Sequence, residues 1–171
     1  MSNQIYYYSG TGNSLHVARE LQKRIQGTEL IPILGALKKD KIEVSGEIIG
    51  FVFPVYAFSL PLPVKQFLKR VIIPSTSYVF AIATRGGSPC RVFEDMDFIL
   101  RRKGKRLDAR FFIEMPSNYM LMAPHKYEPE TQESIMKNEK IMLERMDIIY
   151  KIIRDILFTK IKYGKREDGL I

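Results

Sequence analysis

Six small residues in a row, Ser9, Gly10, Thr11, Gly12, Asn13 and Ser14, stand between an aromatic run and an amphipathic one. Ser, Thr and Asn supply hydroxyl and amide donors, and the two glycines let the backbone come close and take positive φ. At the head of a helix such a segment also offers unpaired backbone N–H groups and a partial positive charge. The chemistry this favours is anion binding, with a phosphate as the natural guest. Related loops fit less well. A Walker loop needs Gly-Lys-Ser/Thr, yet no lysine occurs between Gln4 and Lys23. A dinucleotide fingerprint needs a third glycine, where Leu15 stands. A phosphatase loop would begin with cysteine, where Ser9 stands. The segment is suited to holding a phosphate and not to cleaving one. The plainer alternative is a glycine-rich turn with a capped helix.

The elements that would position this loop follow from periodicity. "QIYYY" (4–8) is rich in β-formers and ends at Ser-Gly, which predicts a strand. Residues 13–25 predict a helix, with Val17, Leu21 and Ile25 at four-residue spacing and Gly27 as the stop. "ELIPIL" (29–34) predicts a short strand, placed near a sheet edge by Pro32. "LKKDKIEVSGE" reads as a polar connection. "IIGFVFPV" (48–55) and "YVFAIAT" (78–84) are apolar without alternation, as strands buried on both faces are. Helices are predicted over 63–72, with Pro63 in the first turn, and over 90–102. "ARFFIEM" (109–115) predicts the last strand, and 131–160 one long helix with a stripe of Met142, Met146, Ile149, Ile153 and Ile156. This alternation predicts an α/β domain, a doubly wound parallel sheet with helices on both faces. Ligands of such sheets lie beyond the carboxyl ends of the strands, where residues 9–14 fall. The expected domain covers residues 1–160, with 161–171 a basic, frayed terminus.

"YYSGTGNS" resembles the FMN phosphate loop of the flavodoxin-like superfamily. The resemblance is greatest to the flavodoxin half of a bacterial and archaeal family that joins a flavodoxin domain to a ferredoxin-type iron–sulfur domain. It spans roughly residues 4 to 158. It implies a five-stranded sheet in the order 2-1-3-4-5, three α/β/α layers, non-covalent FMN and electron transfer. By that resemblance Ser9, Gly10, Thr11, Gly12, Asn13 and Ser14 hold the phosphate. Pro54, Val55, Tyr56, Ala57 and Phe58, after the third main strand, would line the isoalloxazine. Thr84, Arg85, Gly86 and Gly87 would approach the ring edge, with Arg85 a positive group for N1. Asn118 and Tyr119 would cover the ring or ribityl chain. Each has a plainer alternative: loop packing for Tyr56, Phe58 and Tyr119, a turn before a helix for Gly86 and Gly87, and a surface position for Arg85. The chain also departs from the family. Short flavodoxins are typically acidic, and this chain is not. It has no Cys-x-x-Cys-x-x-Cys cluster, so the iron–sulfur half is missing from it. "PVYAFSLP" lacks the glycine whose peptide turns over to bond reduced N5, so a stabilised one-electron-reduced flavin does not carry over.

Composition sets outer bounds. The 171 residues are 46% hydrophobic and 27% charged, which excludes a disordered chain. The lone Cys90 excludes an internal disulfide and an all-cysteine cluster, and His16 and His125 are too isolated to suggest a metal site. No apolar run suits a membrane span and "MSNQIYYY" does not read as a signal peptide, so a cytoplasmic setting is expected. The net charge is +8, and residues 136–166 hold nine Lys or Arg against four acids. The plainer reading of that segment is a solvated helix face and a frayed terminus; the alternative is docking of an acidic redox partner, which the resemblance would make an iron–sulfur protein or a reductase. A nucleic-acid role would want aromatics exposed among the charges and is not expected.

Three functions remain open at this level. The first is an FMN-binding electron carrier between a reductase or iron–sulfur protein and an acceptor, needing no acid, base or nucleophile. The second is an FMN-dependent NAD(P)H/quinone-type reductase with an open pocket over the ring. The third is a basic interaction module with a vestigial flavin pocket.

Overall fold

The computed structural model describes residues 3–86, 91–115 and 132–164, with backbone alone for 132–135, 157–158 and 160–164. The chain runs β1 (Asn3–Tyr7), α1 (Asn13–Arg24), β2 (Thr28–Pro32), α2 (Ile33–Ala36), β3 (Ile42–Glu43), β4 (Ile48–Pro54), α3 (Leu62–Arg70), β5 (Val71–Ile72), β6 (Tyr78–Arg85), α4 (Val92–Arg101), β7 (Ala109–Glu114) and α5 (Gln132–Gly164). Five strands form one sheet in the order β2-β1-β4-β6-β7, every pairing parallel. Counting only those five, this is the expected 2-1-3-4-5, the flavodoxin-like doubly wound order.

Strand alternation divides the core between the two faces. Tyr6, Phe51, Phe53, Val79 and Ala81 face α3 and α4 and pack with Phe67, Leu68, Val92, Met96 and Leu100. Ile5, Val52, Phe80 and Ile82 face the other way, onto Val17 and Leu21 of α1 and Met142, Met146, Ile149 and Ile153 of α5. β4 and β6 are buried along nearly their whole length because helices cover both sides of them. Each large apolar side chain so enclosed contributes about 1.5–3 kcal/mol. Arg24 fastens the two helices of one layer, bonding Glu20 within α1 at 2.7 Å and Asp147 of α5 at 2.8 Å.

The structure differs from the sequence reading at several boundaries. The helix expected over 63–72 ends at Arg70. Val71 and Ile72 instead pair with Ile42 and Glu43 in a second, two-stranded parallel sheet, inside what reads as a polar connection. Burial of Ile42, Val44 and Val71 explains this, since three β-branched residues reach the core from a short segment. The strand expected over 29–34 stops at Pro32. That proline lies on the edge strand and precedes α2, which buries Ile33. The predicted positions Gly87, Cys90, Asn118, Tyr119 and His125, and the terminus from 165, lie outside the described residues. No described helix is long and apolar enough to cross a membrane.

Candidate functional site

Parallel pairing brings four strand ends to one edge: Tyr7 is opposite Val52, Pro54 opposite Thr84, and Arg85 opposite Glu114. The Tyr8 N–H donates to the Val52 carbonyl at 2.9 Å, carrying the sheet one residue past β1. The chain then leaves the sheet as Ser9–Gly12 and enters α1. Gly12 is the N-cap residue at φ 102°, a left-handed conformation that side chains strain to adopt. Its N–H donates to Ser9 Oγ at 3.1 Å, and its carbonyl accepts the His16 N–H at 2.8 Å, which starts the helix. α1 has no side-chain cap and no acid in its first turn. Its partial positive charge is therefore not offset locally. Gly10, Thr11 and Gly12 are exposed, and a Cβ at Gly12 would meet nothing within 4 Å, so the loop is open to solvent there.

The inner side of this loop is pinned to β6. Ser14 Oγ and Thr84 Oγ1 lie 2.7 Å apart, and both residues are buried. Ser14 thus uses its hydroxyl to join the helix start to the neighbouring strand end, while Thr11 stands on the open side. The two hydroxyls come from positions 70 apart in sequence.

A second loop reaches over the first. After Pro54, the Val55 N–H donates to the Thr84 carbonyl at 2.9 Å. Tyr56 and Ser59 then exchange backbone hydrogen bonds of 3.2 and 2.9 Å around Ala57 and Phe58, which have φ of 46° and 61°. Two successive left-handed residues at a two-residue tip are the mark of a type I′ turn, normally made by Asn and Gly. For other residues that conformation costs about 1–2 kcal/mol each. Lys65 Nζ braces the turn by donating to Ser59 Oγ at 2.8 Å. The tip leaves Phe58 74% exposed.

Tyr56 points back to the loop between β1 and α1. Its hydroxyl lies against Gly10. A Cβ on residue 10 would overlap that hydroxyl oxygen, although it would clear the ring carbon Cζ at 3.5 Å. The ring meets Tyr8 edge-on, 6.1 Å between centroids at 82°. Burial raises the Tyr56 pKa, the neighbouring Tyr8 adds to the rise, and the nearby Gly10 backbone opposes it.

Arg85 turns toward β7. Its guanidinium bonds Glu114 at 3.0 Å and stacks 5.0 Å from the Phe112 ring centre. Glu114 is also 3.7 Å from Arg145 of α5. The structure therefore brings Ser9–Ser14, Tyr56 and Thr84 together, with Pro54 and Val55 behind them and Phe58 and Gly86 exposed at the rim. Sequence reasoning missed Tyr8, Ser59, Lys65 and Glu114. Tyr8 had a signal: it closes a run of three tyrosines at a strand end. The others are tertiary partners without one. A cavity of about 210 Å³ lined by Val71, Ile72, Ile73, Leu100, Lys103 and Lys105 lies at the opposite edge of the sheet, away from these loops.

No protein-family model matches the sequence, and no curated protein matches it. Solved structures do. Azoreductase AzrA aligns with a TM-score of 0.56 at 8% identity, covering 88% of this chain and 99% of its own. The azoreductase of Bacillus anthracis str. Sterne aligns with a TM-score of 0.54 at 8% identity, over the same shares. A flavoprotein from Lactobacillus acidophilus NCFM in complex with FMN gives 0.47 at 18% identity, covering 65% and 92%. The two azoreductase likenesses show the fold.

Proposed function

We propose that this protein binds FMN at the carboxyl edge of its sheet and serves as an electron carrier. One observation carries the reading: an uncapped, acid-free helix start, preceded by an open Ser-Gly-Thr-Gly loop, is anchored through Ser14–Thr84 beside the strand ends where such sheets take ligands. The residues fit the group. Gly12 is left-handed and unobstructed, Thr11 is on the open side, and Ser9 holds the loop turn. Thr11 and the Gly10–Asn13 backbone would hold the phosphate. Tyr56, Phe58, Thr84 and Gly86 would bound the ring, with Gly87, Asn118 and Tyr119 retained as expected contacts. Bound flavin supplies reversible one- or two-electron transfer.

The protein's own part is to bind, orient and partly shield the cofactor. Arg85, expected near N1, is paired with Glu114 instead. The surplus of positive charge supports an acidic partner, an iron–sulfur protein among them, with association that weakens as salt rises. The fold neighbours named as azoreductases support keeping a flavin-dependent reductase as a second reading.

Titration of the cofactor-free protein with FMN and with riboflavin tests the site. Saturable binding of FMN with quenched flavin fluorescence, and much weaker riboflavin binding, is expected. Equal affinity for the two would remove the phosphate from the account. NAD(P)H with a quinone or azo dye then separates the roles: a carrier turns over only with an added reductase.

A further inference from the structure

We propose that α5 is a docking face for a second copy of this chain: two α5 helices pair antiparallel along a line of exposed isoleucines, with Glu144 of each opposite Lys151 of the other.

α5 carries two apolar stripes where the fold uses one. Met142, Met146, Ile149 and Ile153 are buried in the core with α1 and the sheet. Ile141, Ile148 and Ile152 lie off that stripe and are 39%, 60% and 39% exposed. Their spacing along the chain brings them within about 20° of one line on the helix surface, at roughly 100° per residue. A helix side turned to solvent favours Lys, Glu or Gln over isoleucine, whose branched side chain loses rotamer freedom in a helix. Single exposed apolar residues need no explanation, but a straight line of them is the seam along which helices pair.

The charges beside that line select the occupant. One flank carries Lys140, Glu144, Lys151 and Asp155, all exposed. An antiparallel partner that sets Ile141 of each copy against Ile152 of the other also sets Glu144 against Lys151 and brings Lys140 near Asp155. The two-fold axis, passing beside Ile148, repeats both pairs. A parallel partner would turn this flank toward the opposite one, where Ile149 and Ile156 offer no charge. Lys140, Glu144 and Lys151 form no ion pair among the described residues, whereas Asp155 already bonds Arg154 at 2.9 Å. Arg145, on the other flank, reaches to Glu114 at 3.7 Å and not across the isoleucines. An anionic membrane would repel the two acids of the charged flank, while a second copy answers each with a lysine. The seam is short, so the dimer is of the weak, concentration-dependent kind.

Sedimentation velocity of the full chain from about 5 to 500 µM, the weak end of the affinity range, tests this. Wild type should pass from monomer to dimer as concentration rises, and a monomer throughout overturns the proposal. Ile148→Glu should raise the dimer Kd about tenfold or more, because it places like charges at the axis. A dimer that ignores this change uses another face, which also overturns it. Glu144→Lys should raise Kd about fivefold, two surface pairs being lost. Adding Lys151→Glu to that variant should bring Kd back to within about twofold of wild type, and a failure to recover refutes the antiparallel register. In dilute solution Ile148→Glu should unfold at the wild-type urea midpoint. A lower midpoint would mean that another segment of this chain covers the stripe, against the proposal. Binding of monomeric wild type to phosphatidylglycerol vesicles, lost in Ile148→Glu, with no dimer at any concentration, would give the stripe to a membrane instead.

Discussion

Ser14 and Thr84 offer a direct measurement of how the two ligand loops are joined. Their hydroxyls are 2.7 Å apart, and only 1% and 3% of the two residues is exposed. Thr84→Val keeps the shape of the side chain and removes the oxygen, leaving a buried Ser14 hydroxyl without its partner. Such a stranded group costs about 1–3 kcal/mol. Ser14→Ala strands Thr84 in the same way and should cost a similar amount. The double variant strands neither, so it should lose much less than the two singles together. The expected coupling is about 1–2 kcal/mol. For a chain of this length a loss of 1 kcal/mol lowers Tm by about 2–4 °C. Urea unfolding of the four proteins gives the cycle, provided the slope with denaturant stays constant. Additivity within about 0.5 kcal/mol would mean that the hydroxyls do not interact, and the anchoring of the loop to β6 would have to be abandoned. Thr84→Val should also weaken FMN binding several-fold, because it releases the helix start that presents the loop.

Thr11 stands on the open side of the loop, so Thr11→Glu should place a carboxylate against the phosphate dianion. A loss of FMN affinity of about fivefold or more is expected, from repulsion of roughly 1–4 kcal/mol, and calorimetry would read it; undiminished affinity would move the phosphate elsewhere. Ala57→Gly relieves a left-handed alanine at φ 46° and should stabilise the cofactor-free protein by about 1 kcal/mol in urea; destabilisation would mean the turn is not of this type. Alkaline pH should unfold the protein through Tyr6 and Tyr78, both pushed up to about 12, chiefly by burial, with Glu29 and Asp108 adding to the rise. Unfolded tyrosine ionises near 10, so between about pH 10 and 12 the unfolded chain binds fewer protons and stability falls. That contribution is intact below pH 10. Ultraviolet titration should show Tyr6 and Tyr78 among the tyrosines that ionise late, with one late tyrosine fewer in Tyr78→Phe; a single step near 10 in the folded protein would contradict the burial. Tyr78→Phe should not destabilise at neutral pH, because its hydroxyl has no hydrogen-bond partner among the described residues.

Local pattern along the chain accounts for the layered fold and for the position of the small-residue loop at 9–12. Unbroken apolar runs at 48–54 and 78–84 require strands buried on both faces, and one-sided stripes such as Val17–Leu21 and Met142–Ile153 require helices packed against them. Both patterns are local, because they follow from side-chain spacing along a single element. The small residues at 9–12 mark a loop by composition for the same reason. Which side chains meet there is settled by long-range packing. Ser14 finds Thr84 across 70 positions, Tyr56 comes to rest on Gly10, and Arg85 turns away to Glu114. Val71 and Ile72 continue the apolar side of α3 in sequence, yet they pair with Ile42 and Glu43 as strand. These outcomes depend on strand order and register, which place distant residues within hydrogen-bonding reach, and no spacing along the chain encodes that distance.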